Sequence, residues 1–378
     1  MLEIAPAEVD QEIVETIHRF AAVRLAPHAA EREKARAIEP ELIRELGELG
    51  LFGATTDPEW GGAGLDPVTY SLALEEIAAG DGSVSTMICV HNAPTCLILE
   101  RFGTEAQKER WLRPLAGGEM IGSFALTEPG AGSDASAIRT RAKYSNGHYV
   151  IDGSKQFISN ARHAGAVLLF AVTDPDAGKR GISCFVVSPR TAGFSVAKLE
   201  EKLGQKASDT CQLAFESMAV PEDQRIGAEG DGYRIALSTL EAGRIGIAAQ
   251  SIGMARAALE YAIGYAKERK SFGKPIIEHQ AVGFRLVEAK TRLEAAQQLT
   301  LAAARLKRDG KPALEAACMA KLFASEAAEQ ICSDALRTLG GYGYLADYPV
   351  ERILRDVRVC QIYEGTSDIQ KLILQRLL

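Results

Sequence analysis

A carboxylate beside a glycine near the end of the chain carries the clearest chemistry in this sequence. The segment reads Tyr363-Glu364-Gly365-Thr366-Ser367-Asp368-Ile369-Gln370. Glycine lets backbone approach a ligand closely, and the spacing of Ser367 and Gln370 is typical of a helix start, whose free N–H groups bind phosphates. A carboxylate in an apolar cleft has a raised pKa, which suits a general base. Glu364 is therefore a candidate base; the alternative is an exposed glutamate before an ordinary helix cap.

A glycine-rich segment lies further upstream, at residues 124–134. It reads Phe124-Ala125-Leu126-Thr127-Glu128-Pro129-Gly130-Ala131-Gly132-Ser133-Asp134. Its glycines and hydroxyls can present N–H groups to a pyrophosphate. The Gly-x-Gly pattern is not a dinucleotide fingerprint, because that motif requires a following helix and residues 138–144 have strand character. A ligand-binding turn and a purely structural turn both fit this segment.

Both segments need elements that position them, and the chain divides into three parts. Residues 1–120 are predicted to form an N-terminal helical domain. Apolar residues recur at helical spacing from Ile13 to Leu25 and again, after Pro40, from Glu41 to Leu49. A glycine-rich run at 58–64 precedes a further helix, predicted over residues 67–79 with Leu72, Leu74 and Ile77 on its buried side.

The middle and last parts differ in pattern. Residues 121–229 are predicted to form a β domain, with an Asn146-Gly147 hairpin turn and strands at 167–173, 182–187 and 212–215. Residues 230–378 are predicted to form a C-terminal helical bundle, with long helices at 233–270, 282–308 and 312–338. The fold class is α+β, with a compact β domain inserted between helical blocks.

Composition narrows the class of protein. The 378 residues are 47% hydrophobic and 25% charged, as in ordinary globular proteins. A net charge of −7 argues against a nucleic-acid surface. The seven cysteines are scattered singly, which predicts a reducing compartment and no metal site. The acidic N-terminus, with Glu3, Glu8 and Asp10, is unlike a targeting peptide, and no apolar run of membrane-spanning length is expected. A cytoplasmic protein is predicted.

Several collinear segments resemble those of the acyl-CoA dehydrogenase family. Residues 363–370 resemble its YEGTSxIQ signature, and residues 127–134 resemble its flavin-binding TEPGxGSD segment. Other matches are residues 155–160 to K-x-W-I-T-N, 202–210 to KxGxxxSxT, 269–273 to R-x-x-F-G, 279–280 to H-Q, and 339–343 to the glycine-rich turn before the Glu364 loop. The resemblance covers nearly the whole chain and outweighs the purely structural alternatives.

The resemblance implies a homotetrameric FAD enzyme with an N-terminal helical domain, a middle β domain and a C-terminal four-helix bundle. FAD within one subunit would contact Leu126, Thr127, Gly132, Ser133, Phe157, Ile158, Ser159, Thr366 and Ser367. FAD of a neighbouring subunit would contact Arg269, Phe272, Gln280, Arg337, Gly340 and Gly341. The acyl thioester would touch Ser133, Glu241, Arg244 and Gly365. By residue type alone, Arg244 would be a surface charge and Gln280 an ordinary helix residue.

Three positions depart from the family pattern. Phe157 replaces a tryptophan and Ser159 a threonine, which keeps an aromatic ring and a hydroxyl for the flavin. Arg337 replaces a glutamine; an arginine there could still pair with a pyrophosphate. Some branches, including the isovaleryl type, carry the base on a helix just before the arginine that is Arg244 here. This chain has Gly243 at that position, so the base is assigned to Glu364.

The implied reaction is α,β-dehydrogenation of an acyl-CoA. Glu364 would take the α-proton, FAD would accept the hydride from the β-carbon, and an electron-transfer flavoprotein would be the oxidant. Residues 243–248 and 319–322 resemble the short-chain, butyryl type. Ser85 stands where glutaryl-type enzymes have an arginine, so dicarboxylyl substrates are expected to be rejected, and the pocket floor is expected near residues 87–91. Three alternatives stay open: a carrier-protein-bound or branched thioester, an oxygen-using flavoenzyme of the same fold, and a non-catalytic homologue.

Overall fold

The computed structural model describes residues 9–378 of the chain. Glu3 and Glu8, two of the acidic N-terminal residues, lie outside the described residues. Helices occupy both ends of the chain and strands its middle, so the predicted α+β class is confirmed. The exact domain boundaries at 120/121 and 229/230 stay predictions.

The first part of the chain is helical. Its helices are α1 (Gln11–Phe20), α2 (Ala29–Ala35), α3 (Pro40–Glu48), α4 (Pro67–Gly80), α5 (Gly82–Val90), α6 (Leu97–Phe102), α7 (Glu105–Gln107) and α8 (Arg113–Ala116). Asp66 caps α4 by accepting a hydrogen bond from Val68 N at 2.8 Å. Leu74 and Ile77 are buried as predicted, whereas Leu72 is only partly buried.

The expectation that no apolar segment reaches membrane-spanning length was wrong. Residues Gly82–Phe102 form a helical segment that is long and apolar enough, by length and composition alone, to cross a membrane. Of its apolar window, 89% is buried inside the fold. Packing against the other helices accounts for this composition, since a core helix is apolar on all sides.

The middle of the chain forms a mixed sheet. Its strands are β1 (Ile121–Ala125), β2 (Arg141–Ser145), β3 (His148–Ser159), β4 (Ala164–Val172), β5 (Ile182–Val187), β6 (Phe194–Leu199), β7 (Thr210–Pro221) and β8 (Arg225–Ile226). The order is β6-β7-β3-β2-β4-β5-β8, with β1 parallel to β4. Asn146 and Gly147, both with positive φ, join β2 to β3 as the sequence predicted. A single 3-10 turn (Ala135–Ala137) and then β2 follow the glycine-rich segment, so no α-helix begins there, and the strand predicted at 138–144 lies at 141–145.

The last part of the chain is helical again. It contains α9 (Gly232–Glu268), the short strands β9 (Lys270–Ser271) and β10 (Lys274–Pro275), α10 (Gln280–Arg308), α11 (Leu314–Leu339), α12 (Pro349–Val357) and α13 (Ser367–Gln375). The central helix α9 packs against α4, α10 and α11. Glycine and alanine along α9 allow this close approach: a methyl group on Gly253 would lie 2.1 Å from the Glu75 carbonyl oxygen of α4. Glu241 and Arg244, two of the predicted site residues, lie on this closely packed helix.

Candidate active site

The loop before α13 places Glu364 in an unusual backbone conformation. Glu364 has φ +54° and Gly365 φ +87°, and a left-handed conformation is uncommon for a non-glycine residue. Two side chains hold the loop: Lys321 Nζ donates to the Gly365 carbonyl at 2.7 Å, and Gln370 Nε2 donates to the same carbonyl at 2.9 Å. A helix does start here, as the Ser367 and Gln370 spacing predicted, but Thr366 rather than Ser367 caps it, by accepting from Ile369 N at 3.2 Å.

Glu364 is partly buried, and its Oε2 atom is fully buried. A methyl group placed on Gly243 would lie 2.7 Å from Glu364 Oε2, so α9 runs directly beside the carboxylate. Among the described residues, Oε2 has no hydrogen-bond partner. Burial raises the pKa of Glu364 to about 7, while the charges of Arg244 and Lys321 act in the opposite direction. A carboxylate with this pKa is suited to accept a proton near neutral pH.

The two predicted substrate-binding residues on α9 differ in environment. Arg244 is buried at 4% exposure, and its Nε lacks a hydrogen-bond partner within residues 9–378. The simple reading of Arg244 as a surface charge is therefore wrong, and its guanidinium acts electrostatically on Glu364. Glu241 is partly exposed and pairs with Lys307 Nζ at 2.8 Å.

The predicted flavin-binding residues that follow β1 lie next to those on β3, and hydrogen bonds from β3 hold them there. Gln156 N donates to the Thr127 carbonyl at 2.8 Å, and Lys155 Nζ donates to the Leu126 carbonyl at 2.9 Å. Lys155 also pairs with Glu128 at 2.8 Å, and both side chains are buried. This pair fixes the segment after β1 against β3, although the sequence analysis gave neither residue a role.

Phe157 stands out on β3. Its side chain is 63% exposed and its φ is +60°, at a register shift between Lys155 and Ile158 in the pairing with β7. A bulge of this kind re-aims a side chain out of the strand pattern. Ile158 is buried, while Ser159 is partly buried and its carbonyl accepts from Ser123 Oγ at 2.6 Å. The exposed ring is thus available to pack on a flat ligand.

The remaining residues of this group also fit a phosphate-bearing cofactor. Gly132 and Ser133 lie in an exposed turn, and a methyl group on Gly132 would meet no atom within 4 Å. Ser367 Oγ is buried at the start of α13 without a hydrogen-bond partner in the described chain. An exposed aromatic ring, an open glycine turn and a hydroxyl without a partner at a helix start fit a flat cofactor that carries phosphate groups, such as FAD.

A second group of predicted cofactor residues lies along an open groove of about 400 Å³. Its lining includes Arg269, Gly340 and Gly341, and the Arg269 guanidinium lies 5.7 Å from the Tyr342 ring centroid. Other predicted members lie outside this lining: Phe272 is 94% exposed, Gln280 begins α10, and Arg337 Nη1 donates to Asp334 at 3.3 Å. Asp334 therefore neutralises part of the charge that Arg337 was expected to direct at a pyrophosphate.

Sequence reasoning missed two features near Glu364. Lys321 was noted only as part of a short matching segment, although its position on the face of Ala317, Ala320 and Ala324 marks it as a lone charge among apolar residues. The second feature is a buried polar network centred on Gln250. Tyr363 OH donates to Gln250 Oε1, and Gln250 Nε2 donates to Ser85 Oγ at 2.7 Å. No local pattern identifies these long-range partners.

Comparisons with known proteins agree on one family. The acyl-CoA dehydrogenase N-terminal, middle and C-terminal domain models match residues 7–119, 123–218 and 230–378. A relative named acyl-CoA dehydrogenase from Bacillus subtilis is 46% identical over 362 residues, covering 96% of each chain. The structure of butyryl-CoA dehydrogenase from Megasphaera elsdenii matches with a TM-score of 0.96 and 39% identity, covering 100% of this chain and 99% of that one. A chain in a structure of the electron-transferring flavoprotein of Acidaminococcus fermentans matches with a TM-score of 0.97 and 41% identity, at the same coverage.

Proposed function

Because the chain belongs to the acyl-CoA dehydrogenase family of FAD-dependent oxidoreductases, we propose that it converts a short-chain acyl-CoA to the trans-2-enoyl-CoA. One observation carries this proposal: the Glu364 Oε2 atom is buried beside Gly243 without a hydrogen-bond partner in the described chain, and the pKa of this carboxyl group is raised to about 7. A base in this state can take a weakly acidic α-proton near neutral pH.

Each residue of the site has a part in the proposed mechanism. Glu364 removes the α-proton of the thioester, and its backbone N–H donates to the thioester oxygen as negative charge develops there. Arg244 keeps the carboxylate ionised before proton transfer. Bound FAD supplies a hydride acceptor for the β-carbon. Leu126, Thr127, Phe157, Ser159 and Ser367 would hold that cofactor.

Close helix packing near Glu364 supports a short acyl chain. A methyl group on Gly246 would lie 2.7 Å from Cys89 Sγ, so α5 and α9 meet there. Gly246 lies three residues from Gly243, a rise of about 4.5 Å along α9. The likeness to butyryl-CoA dehydrogenase supports the same substrate class. Ser85 is buried among uncharged partners, which disfavours a substrate with a distal carboxylate.

The proposal extends to partners and location. An electron-transfer flavoprotein is proposed as the oxidant, supported by the match to a chain in a structure of such a flavoprotein. A homotetramer is proposed, supported by large exposed apolar residues in the C-terminal part of the chain, notably Phe272, Phe284 and Val287. A cytoplasmic location is supported by seven free, buried cysteines.

Anaerobic bleaching of the bound flavin tests the proposed function. The purified holoenzyme is mixed with butyryl-, octanoyl-, palmitoyl- or glutaryl-CoA, and with a butyryl carrier-protein thioester. We expect butyryl-CoA to reduce the flavin fastest. The variant Glu364→Gln should keep its yellow colour and lose on the order of 10²–10⁴ in rate, because a positioned base is worth that much. A faster reaction with palmitoyl- or glutaryl-CoA would overturn the substrate class, and a Glu364→Gln variant with more than a tenth of wild-type activity would overturn the base.

A further inference from the structure

Lys321 is a fully buried lysine on α11, with 0% exposure. Its ammonium donates to the neutral carbonyl of Gly365 at 2.7 Å. Within residues 9–378, Lys321 forms no direct ion pair with a carboxylate. A buried ammonium without such a pair is costly, and this cost lowers the pKa of Lys321 to about 8. A lysine in this arrangement lowers the free energy of unfolding, so its presence indicates a role other than stabilising the fold.

The position of Lys321 relative to the Glu364 loop points to that role. The carbonyl that it binds belongs to the residue directly after Glu364, where two consecutive residues have positive φ. Gln370 Nε2 donates to the same oxygen at 2.9 Å and to the Glu364 carbonyl at 3.2 Å. These donors fix the carbonyls on one side of the loop, so the Glu364 side chain is directed at α9.

We propose that Lys321 is a positioning residue of the catalytic loop: its ammonium holds the Gly365 carbonyl and supplies a positive charge beside the Glu364 carboxylate. This inference rests on the proposed function, because it assumes that Glu364 is the base. Lys321 itself touches neither substrate nor reacting atoms; it acts through the loop. Its loss should change both the geometry and the ionisation of the base.

The charged and titratable groups around Glu364 come from four elements. Arg244 on α9 and Lys321 on α11 are the cations that act on its carboxylate. Cys89 on α5 is buried and Tyr363, just before Glu364, is partly buried; desolvation raises the pKa of both groups, so the thiol and the phenol are neutral near pH 7. Without the Lys321 charge, Arg244 is the remaining cation of this pair that lowers the pKa of Glu364. Glu364 should then retain its proton to higher pH.

The pH dependence of kcat/KM separates this role from a purely structural one. We compare the wild-type holoenzyme with Lys321→Met, which removes charge and donor, and Lys321→Arg, which keeps the charge. We expect kcat to fall about ten- to a hundredfold in Lys321→Met, as for other residues that orient a catalytic group. The acid limb of its kcat/KM–pH profile should move to higher pH, whereas the acid limb of Lys321→Arg should stay at the wild-type position. Flavin content and melting temperature report on folding.

Lys371 provides a matched control. It is an exposed lysine on α13, close in sequence to the loop, with a surface ion pair to Glu326. Lys371→Met should leave both kcat and the acid limb at wild-type values. If Lys321→Met does not fold, Lys321→Gln takes its place, and its acid limb should still move because the charge is lost.

Two outcomes distinguish the positioning role of Lys321 from the assignment of Glu364 as the base. A Lys321 variant without charge that keeps the wild-type acid limb and wild-type kcat overturns the role of Lys321, while an inactive Glu364→Gln leaves the base assignment standing. An active Glu364→Gln overturns the base, and the role of Lys321 falls with it.

Discussion

At the scale of single residues, the site depends on the absence of a side chain at Gly243, because such a side chain would compete with the Glu364 carboxylate for the same space. A methyl group on residue 243 would already approach Glu364 Oε2 to 2.7 Å, so any larger side chain there requires the carboxylate to move. Gly243 is thus needed for Glu364 to occupy its site. Two carboxylates at these positions would also repel each other. One base at one of the two positions is the arrangement that both sterics and charge allow.

The raised pKa of Glu364 predicts a pH-dependent stability effect. Its folded-state pKa of about 7 exceeds the ordinary value of 4.5, so the native state favours the protonated form. The stability from this group is present below the unfolded pKa and is lost as pH rises through the folded one. Glu364→Gln should therefore be about 1–3 kcal/mol more stable than wild type at pH 8, with little of that difference remaining at pH 5. Urea unfolding of both holoproteins at the two pH values measures this; an equal difference at both would contradict it.

At the scale of elements, hydrogen bonds from β3 fix the position of residues 126–128, the predicted flavin-binding segment that follows β1. The carbonyls of Leu126 and Thr127 are both engaged by β3, through Lys155 Nζ and Gln156 N. Glu128 accepts from Thr140 N at 3.0 Å and balances the buried Lys155 charge. Residues 126–128 are therefore held at Leu126 and Thr127 through their carbonyls and at Glu128 through its carboxylate, which preorganises this segment for a ligand.

Lys155→Met should loosen this segment and weaken flavin binding. It removes the donor to Leu126 and leaves the buried Glu128 carboxylate without its cation, and breaking a buried pair costs about 3–5 kcal/mol. We expect a lower melting temperature and a lower flavin-to-protein absorbance ratio after gel filtration. Lys143→Met, at an exposed position of β2, is the matched control and should retain both. Full flavin occupancy in Lys155→Met would show that the pair does not position this segment.

At the scale of the whole molecule, a single chain leaves the groove around Arg269 open. The groove has a volume of about 400 Å³ and is lined by Gly340, Gly341 and Tyr342. Phe272, close by in sequence, is 94% exposed. Large exposed apolar residues near an open groove are typical of surfaces that another chain covers. The proposed cross-subunit cofactor contacts require such an assembly.

Arg269→Glu should reduce flavin retention. If Arg269 contacts the FAD pyrophosphate of a neighbouring subunit, charge reversal puts like charge against it. We expect lower flavin content after gel filtration, with the elution volume recording the oligomeric state. Lys34→Glu, an exposed charge reversal on α2, should retain its flavin. Unchanged occupancy in Arg269→Glu would sink the cross-subunit assignment.

The sequence by itself determined the features that depend on near neighbours along the chain. The Asn146-Gly147 turn, the long helices after residue 230 and the start of a helix after Gly365 all follow from local propensity and spacing. The resemblance carried by the motif at 363–370 also identified the family, which the comparisons confirmed. The site residues that the motifs named remain proposals, but the structure brings Glu364, Gly243 and Arg244 to one place.

Only the tertiary structure decided the electrostatic environment of Glu364 and the contacts that position the residues around it. The lone lysine at 321 is visible in the sequence, but its hydrogen bond to Gly365 spans 44 residues. The raised pKa of Glu364 arises from burial, and the exposed ring of Phe157 arises from a register shift against β7. Desolvation and Coulomb interactions depend on which groups surround a residue in space. Local sequence fixes a residue's type and backbone preference, whereas its electrostatic environment is set by segments that are distant along the chain.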